Sequence, residues 1–149
     1  DSRHWRLRIV GTLGLLPEGT REELLKAAET TVDCTGMVVN IAVGYGGRDE
    51  IADAVRSLLR ARAAEGKTLT EVAETLSTSD IADHLYTTGQ PDPELLIRTS
   101  GEQRLGGFLL WQSAHSEFYF CEAYWPDFRR VDFLRALRSY TQRERRLGR

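Results

Sequence analysis

The sequence has few of the residues that build metal clusters or disulfide frameworks. Its 149 residues include only 2 cysteines and 3 histidines. Cys34 and Cys121 stand far apart and match neither a zinc pattern nor a closely spaced thiol pair, so free thiols in a reducing compartment are the simplest interpretation. The histidines fit no two-histidine metal motif, because His4, His84 and His115 are isolated from one another.

Neither long apolar runs nor an excess of one charge sign occurs along the chain. No apolar stretch approaches the roughly 18 to 20 residues of a membrane-spanning helix, so any membrane contact is expected to be peripheral. Nucleic-acid-binding domains are strongly basic, whereas the net charge here is −2 at pH 7, so we expect no nucleic-acid partner. A hydrophobic fraction of 41% with 28% charged residues indicates a globular protein, and the length suits one domain over residues 1–149.

Strand-like and helix-like segments alternate, which predicts an α/β fold with a parallel β-sheet covered by helices. Residues 7–10 and 37–43 are predicted strands, and the second is apolar enough to be buried on both faces. Between them, Thr20 and Glu23 have the spacing of a capping box and predict a helix that ends near Gly36.

The rest of the chain is predicted to continue this alternation. Apolar spacing predicts helices over about 48–66, 69–76, 79–85 and 132–140. Two prolines and a glycine make residues 87–93 a loop, which leads into a strand that ends at Arg98. Ligands of open parallel sheets lie outside the carboxyl ends of the strands, where we expect Arg98 and the turn at 45–48.

The stretch LLIRTSGEQR at 95–104 places two arginines at a strand-to-turn transition. Arg98 ends the apolar run, and Arg104 follows Gly101 by three residues. A guanidinium group stays charged at physiological pH and offers a planar fork of donors that matches phosphate oxygens, while glycine lets the backbone approach a ligand closely. These residues alone leave two interpretations open: a diphosphate clamp, or the commoner rim of solvated, salt-bridged arginines.

Five segments match one family in chain order. They are YGGR at 45–48, FLLWQ at 108–112, SEFYF at 116–120, WPDF at 125–128 and RLG at 146–148. Through them the chain resembles the cis-prenyltransferases, the undecaprenyl diphosphate synthase family, along essentially its whole length. The family's N-terminal phosphate loop, Asp-Gly-Asn-any-Arg-Trp, and the Ser-any-Glu-Asn-Trp segment after it are absent. We therefore expect the C-terminal portion of the catalytic domain, either as a fragment of a longer protein or with the first half as a separate chain.

The resemblance implies an Mg2+-dependent prenyltransferase that condenses isopentenyl diphosphate with an allylic diphosphate. Its product would be a Z-configured polyprenyl or short-chain prenyl diphosphate. Charge develops on the departing diphosphate, and Mg2+ neutralises such charge with a few carboxylates, phosphate oxygens and water. The alternative is a non-catalytic accessory subunit of a heteromeric enzyme, against which the retained arginine motif argues.

The same resemblance implies partners and a location. The family works as a homodimer, so a second copy is an expected partner besides the two diphosphate substrates. The expected location is the cytoplasm, or the inner face of the membrane through contact with a lipid product.

Residue roles also follow from the resemblance. The residues expected to bind substrate are Arg98, Arg104, Leu105, Gly106, Arg146 and Gly148. The last two belong to a tail that reaches toward the partner's substrate. Glu117 is expected to supply a carboxylate to Mg2+, whereas without the resemblance it would be taken for a surface residue beside an aromatic strand. The family's catalytic aspartate lies in the absent loop, so no catalytic residue is assigned within this chain.

Three positions depart from the family pattern. Gly106 stands where a serine hydroxyl is usual, so this position offers only its backbone N–H. Gln103 replaces a common histidine and receives no acid or base role, and Gly44 replaces an asparagine. Met37 falls at the deep end of the family's prenyl tunnel by alignment, or is merely core by its spacing, and product length is left unassigned.

Overall fold

The computed structural model describes residues 5–142. This part of the chain divides after Gly89 into two compact units, each with its own pair of parallel strands. That one domain covers residues 1–149 stays a prediction. None of the helices in the described part is long and apolar enough to cross a membrane.

The first unit begins with a strand, a helix and a second strand. Its elements are β1 (Arg6–Gly11), α1 (Glu18–Thr30), β2 (Val38–Val43), α2 (Gly47–Ala64), α3 (Leu69–Thr75) and α4 (Thr78–Ala82), with a 3₁₀ turn at Leu13–Leu15. β1 and β2 are parallel, and their register runs from Arg6 opposite Val38 to Gly11 opposite Val43. The predicted alternation and parallel pairing are therefore confirmed here.

Helix α1 begins earlier than predicted, and the capping box at Thr20 and Glu23 is wrong. Pro17 is the N-cap residue, with no side-chain cap, and Thr20 already lies inside the helix. The proline ring fixes φ, here at −54°, and this leads the chain into the helix before Thr20. The helix also ends at Thr30, well before Gly36.

Strand β2 is half exposed, so the prediction that both of its faces are buried is wrong for the described chain. Within that part of the chain it pairs only with β1. Packing covers one face, because the exposed residues alternate with partly buried ones and are Val38, Asn40 and Ala42. Met37, just before the strand, is 56% exposed and is not a core residue here.

A buried carboxylate fixes the turn at the carboxyl end of β2. Glu50, on α2, is 0% exposed. It accepts hydrogen bonds from the Tyr45 hydroxyl and from the backbone N–H of Tyr86 at 2.9 Å. The Tyr86 hydroxyl donates to Asp53 Oδ2 at 2.5 Å, and its ring meets that of Tyr45 edge to face. Buried polar groups are retained when they are bonded in this way, so Glu50 ties the turn at 45–47 to the segment after α4.

Tyr86 is expected to titrate later than an ordinary tyrosine. Its hydrogen bond to Asp53, with burial as the second cause, raises the pKa of Tyr86 from 10.0 to about 12. Because the folded value lies above the unfolded one, the stabilisation is complete below about pH 10 and is lost as pH rises through about 12.

A spectrophotometric tyrosinate titration checks this expectation. Tyr86→Phe should remove one tyrosine that titrates near pH 12 and flatten the pH dependence of the free energy of unfolding in that alkaline range. Tyr124→Phe, at an exposed tyrosine, is the control and should keep the absorbance change near pH 12. A Tyr86→Phe protein that keeps the full tyrosinate absorbance change of the unaltered protein near pH 12 would contradict the assignment.

The second unit holds β3 (Leu95–Arg98), β4 (Glu117–Phe120), a 3₁₀ turn at Trp125–Asp127 and α5 (Arg130–Thr141). β3 and β4 are parallel, with Leu95 opposite Glu117 and Arg98 opposite Phe120. The Tyr140 hydroxyl donates to Glu94 Oε2 at 2.9 Å and so docks α5 beside the start of β3. The predicted strand ending at Arg98 and the loop before it are confirmed.

Candidate functional site

Arg98 lies at the carboxyl end of β3, as predicted, and the backbone around it is firmly held. Its carbonyl accepts from the N–H of Cys121 at 2.7 Å. The N–H of Ser100 donates to the Ala123 carbonyl at 2.8 Å, and that of Gly101 donates to Cys121 at 2.9 Å. The pairing of β3 with the neighbouring segment therefore continues beyond both strands and gives Arg98 a rigid base.

The loop after Arg98 turns through left-handed backbone conformations. Ser100 has φ 76° and is followed by Gly101 at 69°; Gly106 and Gly107 have 62° and 81°. A non-glycine residue in this region is strained and persists only where its surroundings hold it, as the bond from the Ser100 N–H does here. A Cβ atom at Gly106 or Gly107 would meet no atom within 4 Å, so the backbone there is open to a ligand.

Glu102 brings the two predicted arginines together. Its Oε2 is 2.8 Å from Arg98 Nη2 and 3.2 Å from Arg104 Nε, and its Oε1 accepts from Arg104 Nη2 at 3.5 Å. The hydrogen bond from Arg104, and then that from Arg98, hold the pKa of Glu102 below its usual value. The same carboxylate raises the pKa of Arg104. Arg98 and Arg104, which we call the arginine pair, thus converge on one anionic group.

The arginine pair has donor capacity beyond these contacts. Arg98 Nε is buried and has no hydrogen-bond partner among the described residues. A buried donor without an acceptor is costly, but the Nε atom has almost no surface exposed to solvent, so a ligand would meet the Nη atoms of Arg98 instead. The Arg104 side chain is 80% exposed and accessible to a ligand.

The other predicted substrate residues fall in different places. Leu105 is partly buried, and its carbonyl accepts from the N–H of Phe108 at 3.3 Å. Gly106 is exposed, two residues after Arg104. Arg146 and Gly148 lie outside the described residues.

Glu117 lies at the other end of the strand pair. It is the first residue of β4 and faces Leu95 in the register, whereas Arg98 faces Phe120. Glu117 and Phe120 are three residues apart on β4, so Glu117 lies about 10 Å along the strand from the position opposite Arg98. The strand register therefore does not place Glu117 beside the arginine pair, and its role as a metal ligand stays a prediction.

Glu102 is the site residue whose role the sequence interpretation missed. A signal for it exists, since an acid four residues after one arginine and two before another can bridge both when the chain turns. No group of three or more histidine, cysteine or carboxylate residues that could hold a metal ion occurs in the part of the chain with described coordinates.

The comparisons with known proteins identify the family. A family model described as "Putative undecaprenyl diphosphate synthase" matches residues 1–148. The chain belongs to this family. It is 63% identical to Isoprenyl transferase 1 of Corynebacterium diphtheriae, over 96% of this chain and 54% of that protein. It is 66% identical to the (2Z,6E)-farnesyl diphosphate synthase of Thermobifida fusca, over 96% of this chain and 56% of that protein.

A solved structure of the same family has the same fold. The lavandulyl diphosphate synthase of Lavandula x intermedia, crystallised with dimethylallyl diphosphate, matches with a TM-score of 0.88 and 35% identity. The match covers 100% of this chain and 62% of the lavender enzyme. The resemblance and the α/β fold class predicted from the sequence are thereby confirmed. The chain spans about half the length of the curated relatives named above.

Proposed function

We propose that this chain forms the isopentenyl diphosphate-binding part of an enzyme that condenses this substrate with an allylic diphosphate to a Z-configured prenyl diphosphate. The observation that carries the proposal is the convergence of Arg98 and Arg104 at the carboxyl end of β3. Relatives at 63% and 66% identity bear the names of an isoprenyl transferase and a (2Z,6E)-farnesyl diphosphate synthase, which supports transferase activity over an accessory role.

In this reaction the residues of this chain mainly bind and orient isopentenyl diphosphate. A carbon–carbon bond forms between the alkene of isopentenyl diphosphate and C1 of the allylic substrate, whose C–O bond breaks to release diphosphate; a proton then leaves the new chain. Arg98, whose backbone is held by hydrogen bonds, contacts the oxygens on one side of the diphosphate. Arg104, whose side chain is exposed, contacts the oxygens on the other side. Anchoring the diphosphate in this way holds the alkene in place for attack.

The described residues of this chain offer Mg2+ only part of the ligand set that it prefers. This ion prefers one or two carboxylates together with substrate phosphate oxygens and water over a cage made of protein alone. The absence of a larger metal-ligand cluster among the described residues is compatible with that preference. We propose that Glu117 is the carboxylate this chain contributes. When bound, the ion would neutralise charge on the departing diphosphate.

Replacing Glu117 with glutamine should raise the Mg2+ concentration needed for half-maximal turnover by about tenfold, because the amide keeps the shape but loses the anion that a hard cation prefers. Turnover measured across a Mg2+ series, in the protein with its N-terminal region, checks this. Glu122→Gln, at an exposed acid just after β4, is the matched control and should leave the series unchanged. If the Glu117→Gln series overlies that of the unaltered protein, Glu117 is not a ligand.

A second copy of the chain is the proposed partner. Trp125 and Tyr124 are 74% and 66% exposed, and Phe133 and Leu134 on α5 are 44% and 50% exposed. An exposed apolar group of this kind is typical of an interaction surface, which supports the homodimer. The location, in the cytoplasm or at the inner face of the membrane, stays a prediction.

Product analysis tests the proposed activity. Isotopically labelled isopentenyl diphosphate is incubated with an allylic diphosphate, Mg2+ and the protein that includes the N-terminal region. We expect labelled prenyl diphosphate whose new double bond is Z by NMR. Diphosphate release without carbon–carbon bond formation would contradict the proposal.

A further inference from the structure

We propose that the hydroxyl of Ser100 is a further ligand for the diphosphate of isopentenyl diphosphate, beside the arginine pair. This role rests on the proposed function of that pair and adds an uncharged hydrogen-bond donor to it. Three features of Ser100 support the role: its strained backbone, its accessible hydroxyl and its position in the loop.

The backbone of Ser100 has a conformation that glycine adopts at lower cost. Its φ of 76° lies in the left-handed region, where a Cβ atom is unfavourable. The N–H groups of Ser100 and Gly101 hold this conformation by donating to the carbonyls of Ala123 and Cys121. Glycine at position 100 could make the same backbone bond, so the fold does not require a serine side chain here. Strained residues of this kind cluster at active sites and ligand clamps, which points to a use for the side chain itself.

The hydroxyl of Ser100 is available to a ligand. The side chain is partly exposed, and its hydroxyl forms no hydrogen bond with any other residue in the part of the chain that the structure describes. Unlike the buried Arg98 Nε, the oxygen has surface open to solvent. A serine hydroxyl can donate one hydrogen bond, and such a bond to an ionised phosphate oxygen is stronger than one between neutral groups.

Ser100 lies in the middle of the loop that holds the arginine pair. Arg98 Nη2 reaches forward to the Glu102 carboxylate at 2.8 Å, so this ion pair closes residues 98–102 into a loop with Ser100 at its centre. The Cα atoms of Arg98 and Ser100 are two residues apart, which is at most about 7 Å. A diphosphate that contacts the Nη atoms of Arg98 is therefore close enough to accept a hydrogen bond from Ser100 as well.

Equilibrium binding of isopentenyl diphosphate to the protein with its N-terminal region tests the proposal in two variants. Ser100→Ala removes the hydroxyl and keeps a Cβ atom in the strained conformation. Ser100→Gly removes the hydroxyl and relieves the strain, so it keeps the loop intact. Both variants should bind isopentenyl diphosphate about tenfold more weakly, as expected for the loss of one hydrogen bond to a charged group, and should bind the allylic diphosphate as before.

Ser139→Ala is the matched control and should leave both affinities unchanged. Ser139 is also a partly exposed serine of the second unit, and it lies on α5 in regular helical backbone. Its neighbour Tyr140 contacts Glu94, just before β3, whereas Arg98 lies at the other end of that strand.

The outcomes separate this role from the function on which it rests. An unchanged affinity for isopentenyl diphosphate in both Ser100 variants would overturn the role of Ser100 and leave the arginine pair as the diphosphate site. A loss in Ser100→Ala that is absent in Ser100→Gly would also overturn it, because the backbone and not the hydroxyl would then be the cause. Equal losses for the two substrates would contradict a contact with isopentenyl diphosphate alone. If the unaltered protein does not bind isopentenyl diphosphate, the proposed function fails as well.

Discussion

Alanine in place of Arg98 is expected to weaken isopentenyl diphosphate binding by roughly one to two decades and to change allylic diphosphate binding far less. The physical reason is the loss of a charge-assisted contact, which is worth about 1.5 to 3 kcal/mol. Arg98 is the better placed of the two arginines, since backbone hydrogen bonds fix it at the end of β3. Arg104→Ala should act in the same direction, with a smaller effect because its side chain is 80% exposed.

Equilibrium binding of each substrate, measured separately in the protein with its N-terminal region, checks this prediction. Arg130→Ala is the matched control, because Arg130 is an exposed arginine at the start of α5 in the same unit. It should leave both affinities unchanged. Equal losses for the two substrates in Arg98→Ala would show that the arginine pair does not distinguish them and would refute the assignment.

The 149-residue chain purified alone is expected to show no prenyl transfer. The family's phosphate loop and its aspartate are absent from this sequence, and catalysis of this kind depends on a fixed set of charges present together. Supplying the N-terminal region, joined to the chain or as a separate polypeptide, should restore transfer. The same region with its loop aspartate replaced by asparagine is the control and should restore far less.

Turnover by the chain alone would contradict that expectation directly. It would also require another carboxylate in the place of the aspartate, and Glu102 or Asp92 would be the first to examine. Replacing each with its amide in the active chain would decide between them.

The sequence was most informative where local chemistry and periodicity agree. The strand ending at Arg98 is an apolar run that follows a loop rich in proline, so its limits depend on residues close in sequence. Its position at a carboxyl end then follows from parallel pairing with β4. The same reasoning placed Arg104 in a turn near Arg98, which the structure confirms.

Features that depend on contacts with residues distant in sequence could not be predicted from local sequence patterns. The exposure of Val38 depends on what covers β2, and an apolar run does not reveal that. The bridge from Glu102 to Arg98 and Arg104 depends on how the loop turns, including a left-handed Ser100 that no sequence rule would have chosen. At α1, the cap signal at Thr20 was misleading, because the fixed φ of Pro17 leads the chain into the helix before Thr20.

A crystal structure of the protein with isopentenyl diphosphate bound tests the central claim most directly. The account predicts that the diphosphate lies within hydrogen-bond distance of the guanidinium groups of both Arg98 and Arg104. A diphosphate bound elsewhere, out of reach of the arginine pair, would contradict it.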